Sequence, residues 1–363
     1  VRRFANQGTR DIAAFDRYSD WIFHNAHTPE DEMEWLKQQG PWSPALISYL
    51  QANQQRYDVL IFFTYLYATT VLGIEVNPAR SVLVPTAHDE QAIRLEIYKG
   101  VFAKPAAIVF NTDIERQFIK SQFARLPPVE ETAGVGVDIP QHQPYPRMAS
   151  AVEQDSANDE SAAVDEEPAV REFPSHLTAR GAVFRRRHRL YGPFVLYGGR
   201  IDPGKGCEEL IEYFSRYAKG GGDATLVLMG VKLMALPEEP FINFAGLLSD
   251  RERLQALEAA TVVVCPSPYE SLSLLALEAL SVGTPILVNG RSPVLVEHAV
   301  RSNGGLYYAD GDEFVESLKL LVRDDRLRAE MGRNGREYVR RNYRWDVVLG
   351  KYERVLAKIR SAR

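Results

Sequence analysis

The chain has 363 residues, 45% hydrophobic and 25% charged, a balance that suits a soluble protein of two ordinary domains. A formal net charge of -5 argues against a dedicated nucleic-acid binder, which is normally basic. The two cysteines, Cys207 and Cys265, lack the close spacing of a zinc or redox pair, so a reducing cytoplasm is the expected compartment.

In chain order, no signal-peptide pattern opens the sequence, and Val1 stands where an initiator Met would. The longest apolar stretch covers 59–74 and is interrupted by Thr64, Thr69, Thr70 and Gly73. It falls short of the roughly 20 residues that a spanning helix needs. A buried strand over 59–63, running into a loop or helix, is the reading it supports. Strands are also predicted over 81–84 and 106–110. A doubly wound sheet usually has about six strands, so this half reads as incomplete, with a first strand and a Gly-rich loop expected upstream.

The composition shifts at 148–170. Glu153, Asp155, Asp159, Glu160, Asp165, Glu166 and Glu167 fall there with no Lys, Arg or aromatic residue among positions 151–168. Such a stretch cannot bury enough apolar surface to fold, which predicts a mobile acidic linker. The basic run from Arg185 to Arg189 follows. Its bland reading is a solvated face; its alternative is a contact with an anionic membrane or with the acidic stretch.

Beyond the linker, short apolar runs at 194–197, 225–229, 241–244, 261–265 and 285–288 alternate with helix-like stretches at 208–218, 250–259 and 274–282. Continuous apolar strands alternating with helices predict a parallel sheet covered on both faces, a doubly wound Rossmann-like domain. At the end, Trp345, Val348, Leu349, Tyr352, Val355, Leu356 and Ile359 keep helical spacing.

Two segments carry chemistry. The first runs Gly198-Gly199-Arg200-Ile201-Asp202-Pro203-Gly204-Lys205-Gly206 between a strand and a helix. Its glycine and lysine spacing fits a P-loop, but Gly206 stands where a metal-holding Ser or Thr is needed, and the strand over 261–265 ends in Pro266 rather than an acidic ligand. What remains is a Gly-rich turn with two cations at a helix start, a place for a diphosphate. The bland reading is a plain strand–helix turn with a solvated Lys.

The second segment places Glu270 just past a buried strand and Glu278 eight residues later. Some 12 Å apart along a helix axis, they are too distant to share a proton but well placed to clamp two ends of one ligand. The N–H groups of Ser271, Leu272 and Ser273 are expected to form a helix N-terminus between them. Against this stand a surface-paired Glu278 and a helix-capping Glu270.

Gly-Arg, Lys-Gly, the Glu-x7-Glu spacing and then Ala279 to Pro285 together resemble the C-terminal domain of family 4 GT-B retaining glycosyltransferases. The resemblance is strong over 194–343 and extends to Val84-Pro85-Thr86-Ala87-His88-Asp89 and Gly134-Val135-Gly136-Val137-Asp138. It implies an α/β GT-B fold of two Rossmann-like domains facing a cleft. The domains would be 1–147 on the acceptor side, 148–170 as linker, 171–344 on the nucleotide-sugar side, and 345–363 as a helix crossing back to the first domain.

The resemblance also implies a nucleoside diphosphate sugar donor and a glycan, lipid-linked or small-molecule acceptor. No cofactor is expected, and no metal, because Asp202 has no partner carboxylate in sequence while Arg200 and Lys205 supply two fixed positive charges. Arg200 and Lys205 would hold the diphosphate beside Gly199, with Glu270 on the sugar hydroxyls and the amides of Ser271, Leu272 and Ser273 near sugar and phosphate. Glu278 would hold the ribose, and His88 would face the sugar across the cleft. Three features depart from the pattern: the absent first Gly-rich loop, Arg291-Ser292-Pro293-Val294 in place of Gly-Gly-x-Pro-Glu, and the acidic stretch. Rival readings are a GT-B epimerase or phosphorylase and a non-catalytic sugar-nucleotide-binding module. A dehydrogenase is disfavoured, because no G-x-G-x-x-G stands in the right context.

Overall fold

The computed structural model describes residues 1–139 and 179–361. The acidic stretch at 148–170 lies outside the described residues.

Three helices that the pattern reading left unassigned open the chain: Ile12–His24, Pro29–Gln39 and Pro44–Asn53. Their starts are locally encoded. The Asp11 carboxylate accepts from Ala14 N at 3.0 Å, and Thr28 with Asp31 closes a reciprocal capping box ahead of Pro29. Ile22, Trp35 and Leu36 pin the first two to one apolar cluster with Tyr65, Tyr98 and Phe102.

A four-stranded parallel sheet follows, in the order β1 (Leu60–Phe63), β2 (Ser81–Val84), β3 (Ala107–Phe110), β4 (Val129–Thr132). β2 and β3 are buried along their whole length, as continuous apolar strands of a covered sheet must be. β4 escaped the sequence reading because Glu130 and Glu131 interrupt it; Glu130 is neutralised by Arg116 and Lys120.

The second sheet has six strands. They are β5 (Phe194–Gly198), β6 (Thr225–Met229), β7 (Ile242–Gly246), β8 (Val262–Cys265), β9 (Ile286–Asn289) and β10 (Gly305–Tyr308), in the spatial order β10-β9-β8-β5-β6-β7. All pairings are parallel, with helices on both faces. The order reverses between β5 and β8, the topological switch point of a doubly wound fold.

One expectation is corrected ahead of β5. The basic run is not a solvated face throughout: it forms the end of helix Ala179–His188, and Arg185 is buried. Its guanidinium donates to the carbonyls of Ala259 and Gly192, at 2.8 and 2.7 Å for the closest contacts, so it ties that helix to helix Asp250–Ala259. Arginine offers five donors, enough to satisfy several carbonyls in a place where a solvated lysine would gain nothing.

The last helix, Trp345–Ser361, returns to the first sheet, where Val355 and Ile359 share a cluster with Val82, Val84, Ala107 and Val109. The glycine motif before the linker explains the crossing. A Cβ on Gly136 would lie 2.4 Å from the Trp345 ring, and Trp345 Nε1 donates to Asp138 at 3.0 Å. Only glycine lets the strand exit lie this close to the indole.

Candidate functional site

Both chemical motifs leave the strands that flank the switch point: the glycine turn follows β5 and the Pro266–Glu270 loop follows β8. Crevices beyond the carboxyl ends of these strands are where open α/β sheets bind ligands. The turn is built on close backbone approach. Gly199 has φ +147° and Gly230, after β6, has φ +126°; a Cβ on Gly230 would sit 1.9 Å from the Gly199 carbonyl oxygen. No side chain fits between them.

Asp202 then caps a single tight turn, accepting from Lys205 N at 3.0 Å, and the chain turns left-handed at Gly206. A Cβ there would meet the Pro266 carbonyl oxygen at 2.4 Å, so the two loops are seated on each other. That contact carries Lys205 Nζ to 2.8 Å from Glu270 Oε1. Residues 65 apart in sequence thus form one cation–carboxylate pair at the mouth of the crevice.

Arg200 is mostly exposed, its Nε 3.5 Å from Asp202 Oδ2. It lines a cavity of about 330 Å³ together with Gly199, Gly230, Leu247, Arg253 and Glu278. Glu278 is not free: its carboxylate takes the guanidinium of Arg253, from helix Asp250–Ala259. The cavity therefore holds two arginines, one glutamate and an apolar rim on which Val231, Leu247 and Leu274 are exposed.

The expected helix N-terminus is displaced. The helix runs Leu274–Val282, and Ser271, Leu272 and Ser273 precede it as loop. Ser273 stands at φ +65°, left-handed for a non-glycine residue, and its side chain makes no cap bond to the helix. Nearby, burial pushes the ionisation of the Cys265 thiol up. The unpaired N–H groups of the first helical turn accordingly belong to Leu274 and its successors.

On the other domain, His88 follows β2. Its Nδ1 lies 3.5 Å from Glu90 Oε1, which also accepts from the buried Tyr65 hydroxyl at 2.7 Å. The imidazole centroid is 6.0 Å from the Tyr269 ring, so His88 stands opposite the loop that carries Glu270. A second bridge joins Thr112 Oγ1 to the Ser271 carbonyl at 3.3 Å.

Several participants were not legible beforehand. Glu115 is buried and accepts the N–H groups of Ala87 and Asn111, tying the His88 loop to the Thr112 loop. Burial pushes its carboxyl up to about 8, against the downward pull of the N–H groups of Asn111, Ala87 and Thr112. The spacing Thr112-x-x-Glu115 is a capping-box signal that marks it. Arg253 follows the capping box formed by Ser249 and Glu252, which places its helix but not its partner. Thr64 and Thr86 follow β1 and β2 at φ +68° and +51° and are bonded hydroxyl to hydroxyl at 2.9 Å. His298, discussed below, carries no local signal. Among the described residues no group of three or more His, Cys, Asp or Glu side chains converges as a metal site would require.

Comparison with known proteins agrees with this architecture. Residues 183–338 match the family model described as Glycosyl transferases group 1. A GDP-mannose-dependent alpha-(1-6)-phosphatidylinositol dimannoside mannosyltransferase of Mycobacterium tuberculosis is 29% identical over 154 residues, 39% of each chain. Trehalose synthase of Rubrobacter xylanophilus is 27% identical over 184 residues, 46% of this chain and 44% of its own. The matched stretch thus spans less than half the length of these relatives. By structure, sucrose-phosphate synthase of Thermosynechococcus elongatus superposes with a TM-score of 0.67 at 17% identity, covering 93% of this chain and 82% of that one. Anabaena HepE, in its complex with UDP-glucose, superposes with a TM-score of 0.64 at 15% identity, covering 88% and 82%. The fold is GT-B: two Rossmann-like domains facing one cleft.

Proposed function

We propose that this chain, whose C-terminal half is a glycosyl transferases group 1 domain, moves a hexosyl unit from a nucleoside diphosphate sugar to an acceptor hydroxyl with retention at the anomeric carbon. The observation that carries this reading is the pairing of the two switch-point loops. They put Lys205 against Glu270 at 2.8 Å beside a cavity lined by Arg200 and Glu278.

In this reading the diphosphate lies along Arg200 and Lys205, Glu278 takes the ribose hydroxyls, and Glu270 takes sugar hydroxyls. His88 closes over the sugar from the facing domain. When the C1–O bond to the diphosphate breaks, the electron pair stays on the phosphate oxygen, where the two cations and the dipole of helix Leu274–Val282 stabilise it. The acceptor oxygen bonds to C1 on the same face, and its proton passes to that phosphate oxygen. An incoming diphosphate competes with Glu270 for Lys205 and so releases the carboxylate toward the sugar. The acceptor is a glycan, a lipid-linked sugar or a small hydroxylated molecule; the lipid acceptor named for the mycobacterial relative favours work at a membrane surface. None of the helices among the described residues is long and apolar enough to cross a membrane.

Calorimetry with UDP, GDP and ADP, alone and as sugar conjugates, tests the division of roles. Glu278→Ala should weaken binding of free nucleotide and sugar donor alike, whereas Glu270→Ala should spare free nucleotide and lower transfer. Equal loss of nucleotide affinity in both variants would reject the assignment.

A further inference from the structure

The loop between Glu270 and helix Leu274–Val282 has no internal hydrogen bonding that explains its shape. Ser273 is left-handed and uncapped, a conformation unfavourable for a non-glycine residue. Such a conformation persists only where the surroundings over-determine it. Two contacts do so. Thr112 Oγ1 holds the Ser271 carbonyl from the first domain, and His298 Nε2 holds the Leu272 carbonyl at 2.7 Å.

His298 lies on helix Pro293–Ser302 and is fully buried. Its other nitrogen, Nδ1, is 3.0 Å from the Tyr338 hydroxyl, which lies 3.4 Å from the Tyr343 hydroxyl. The proton order in this chain is fixed by its ends. A carbonyl oxygen has no proton to give, so Nε2 carries the hydrogen and Nδ1 of the neutral ring must accept. Tyr338 therefore donates to Nδ1, and Tyr343 donates to Tyr338. The far end of the chain is at the domain seam: the Tyr343 carbonyl accepts from Val137 N at 2.8 Å, and a Cβ on Gly134 would press on the Tyr343 ring at 2.9 Å.

We infer that His298 is a positioning residue for the donor loop, holding the Leu272 carbonyl through Nε2–H while Tyr338 and Tyr343 fix the ring from the seam where the two domains join. The functional half of this inference rests on the donor reading above, because the loop it holds carries the amides beside the sugar and phosphate. It makes the loop's shape depend on the placement of Tyr343, and hence on how the crossing segment is seated.

The test compares His298→Gln with His298→Leu in the full chain, each studied well below its own melting temperature. Gln keeps one amide donor for Leu272 and one amide acceptor for Tyr338; Leu fills space and keeps neither. Hydrogen exchange is followed over a peptide containing residues 270–276 and over control peptides from β6 and helix Cys207–Lys219. His298→Leu should speed exchange of the loop amides about tenfold, the effect of losing one buried hydrogen bond, with the controls unchanged and Gln close to wild type. UDP and GDP titrated into the same proteins should bind the Leu variant several-fold more weakly and the Gln variant nearly normally. Leu and Gln behaving alike, or exchange rising uniformly across the domain, would overturn the inference in favour of simple packing. If wild type binds neither nucleotide, the donor reading has failed, and the exchange ratio still decides whether His298 holds the loop.

Discussion

The glycine turn after β5 and the facing strand ends of the first sheet handle awkward backbone in opposite ways. At the switch point of the second sheet, the positive φ angles of the turn fall on glycines: Gly199, Gly206 and Gly230. At the facing edge of the first sheet they fall on threonines, Thr64 and Thr86, β-branched residues for which that conformation is a genuine outlier. The glycine turn needs backbone to approach backbone, so any Cβ collides. The facing edge has room for side chains and uses them, bonding the two threonine hydroxyls across the strand ends beside His88. The glycine turn excludes strain by having nothing to clash; the threonine pair keeps it and locks it, as the left-handed Ser273 of the second domain also does.

The largest effect should come from the charges of the glycine side. Lys205→Ala removes the cation placed by Asp202 and Gly206, and kcat/KM for transfer should fall by roughly 2–4 kcal/mol, the scale of losing one preorganised oxyanion donor. Steady-state kinetics decides it, and a nearly silent variant would break the assignment of the turn to the diphosphate.

Acid should unmake the second domain next. Burial lowers the His298 imidazole to about 4, with the Leu272 carbonyl opposing and nearby Arg301 adding to the drop. The unfolded chain binds a proton near 6.5 and the folded chain only near 4, so this stability is complete above about pH 6.5 and is lost as pH falls toward 4. The shift corresponds to roughly 3 kcal/mol at full loss. Denaturant titrations at pH 7 and 4.5 should show it, with a shallower dependence in His298→Gln; equal slopes would exclude His298 as the source.

The strained side should respond in the reverse sense to the glycine side. Thr64→Gly or Thr86→Gly removes an αL penalty of about 1–2 kcal/mol but frees the unfolded backbone by roughly 0.5–1 kcal/mol. Stability should therefore change by no more than about 1.5 kcal/mol, while transfer falls as the His88 loop loses its lock. Gly230→Ala, by contrast, should lower both stability and nucleotide affinity, because its Cβ meets the Gly199 carbonyl. Thermal melts with paired kinetics separate the two behaviours. Gly230→Ala with unaltered binding would end the contrast.

The smallest effect should be that of EDTA. If Arg200, Lys205 and the helix dipole carry the departing charge, chelation should change activity by less than about a factor of two. Strong inhibition reversed by Mn²⁺ would move the charge stabilisation from side chains to an ion.

What was legible in advance was local. Apolar runs of four or five residues marked β5, β6, β8 and β9, because a strand buried on both faces needs every side chain apolar. The glycine turn and the Glu270–Glu278 spacing stood out, because close approach and charge at strand ends leave few residue types available. β4 and the opening helices were not legible, since half-buried, charged stretches have weak periodicity. The partners of the site were beyond reach altogether. Lys205 meets Glu270, Arg253 meets Glu278 and His298 meets Leu272 across 65, 25 and 26 residues. Ser273 reads as the first turn of a helix, and only its neighbours turn it left-handed. Periodicity and capping act over a few residues and so write strands, turns and helix starts into sequence. Which charge neutralises which, and which carbonyl a buried imidazole holds, depends on the strand order that brings β5 beside β8, and that order exists only once the chain has folded.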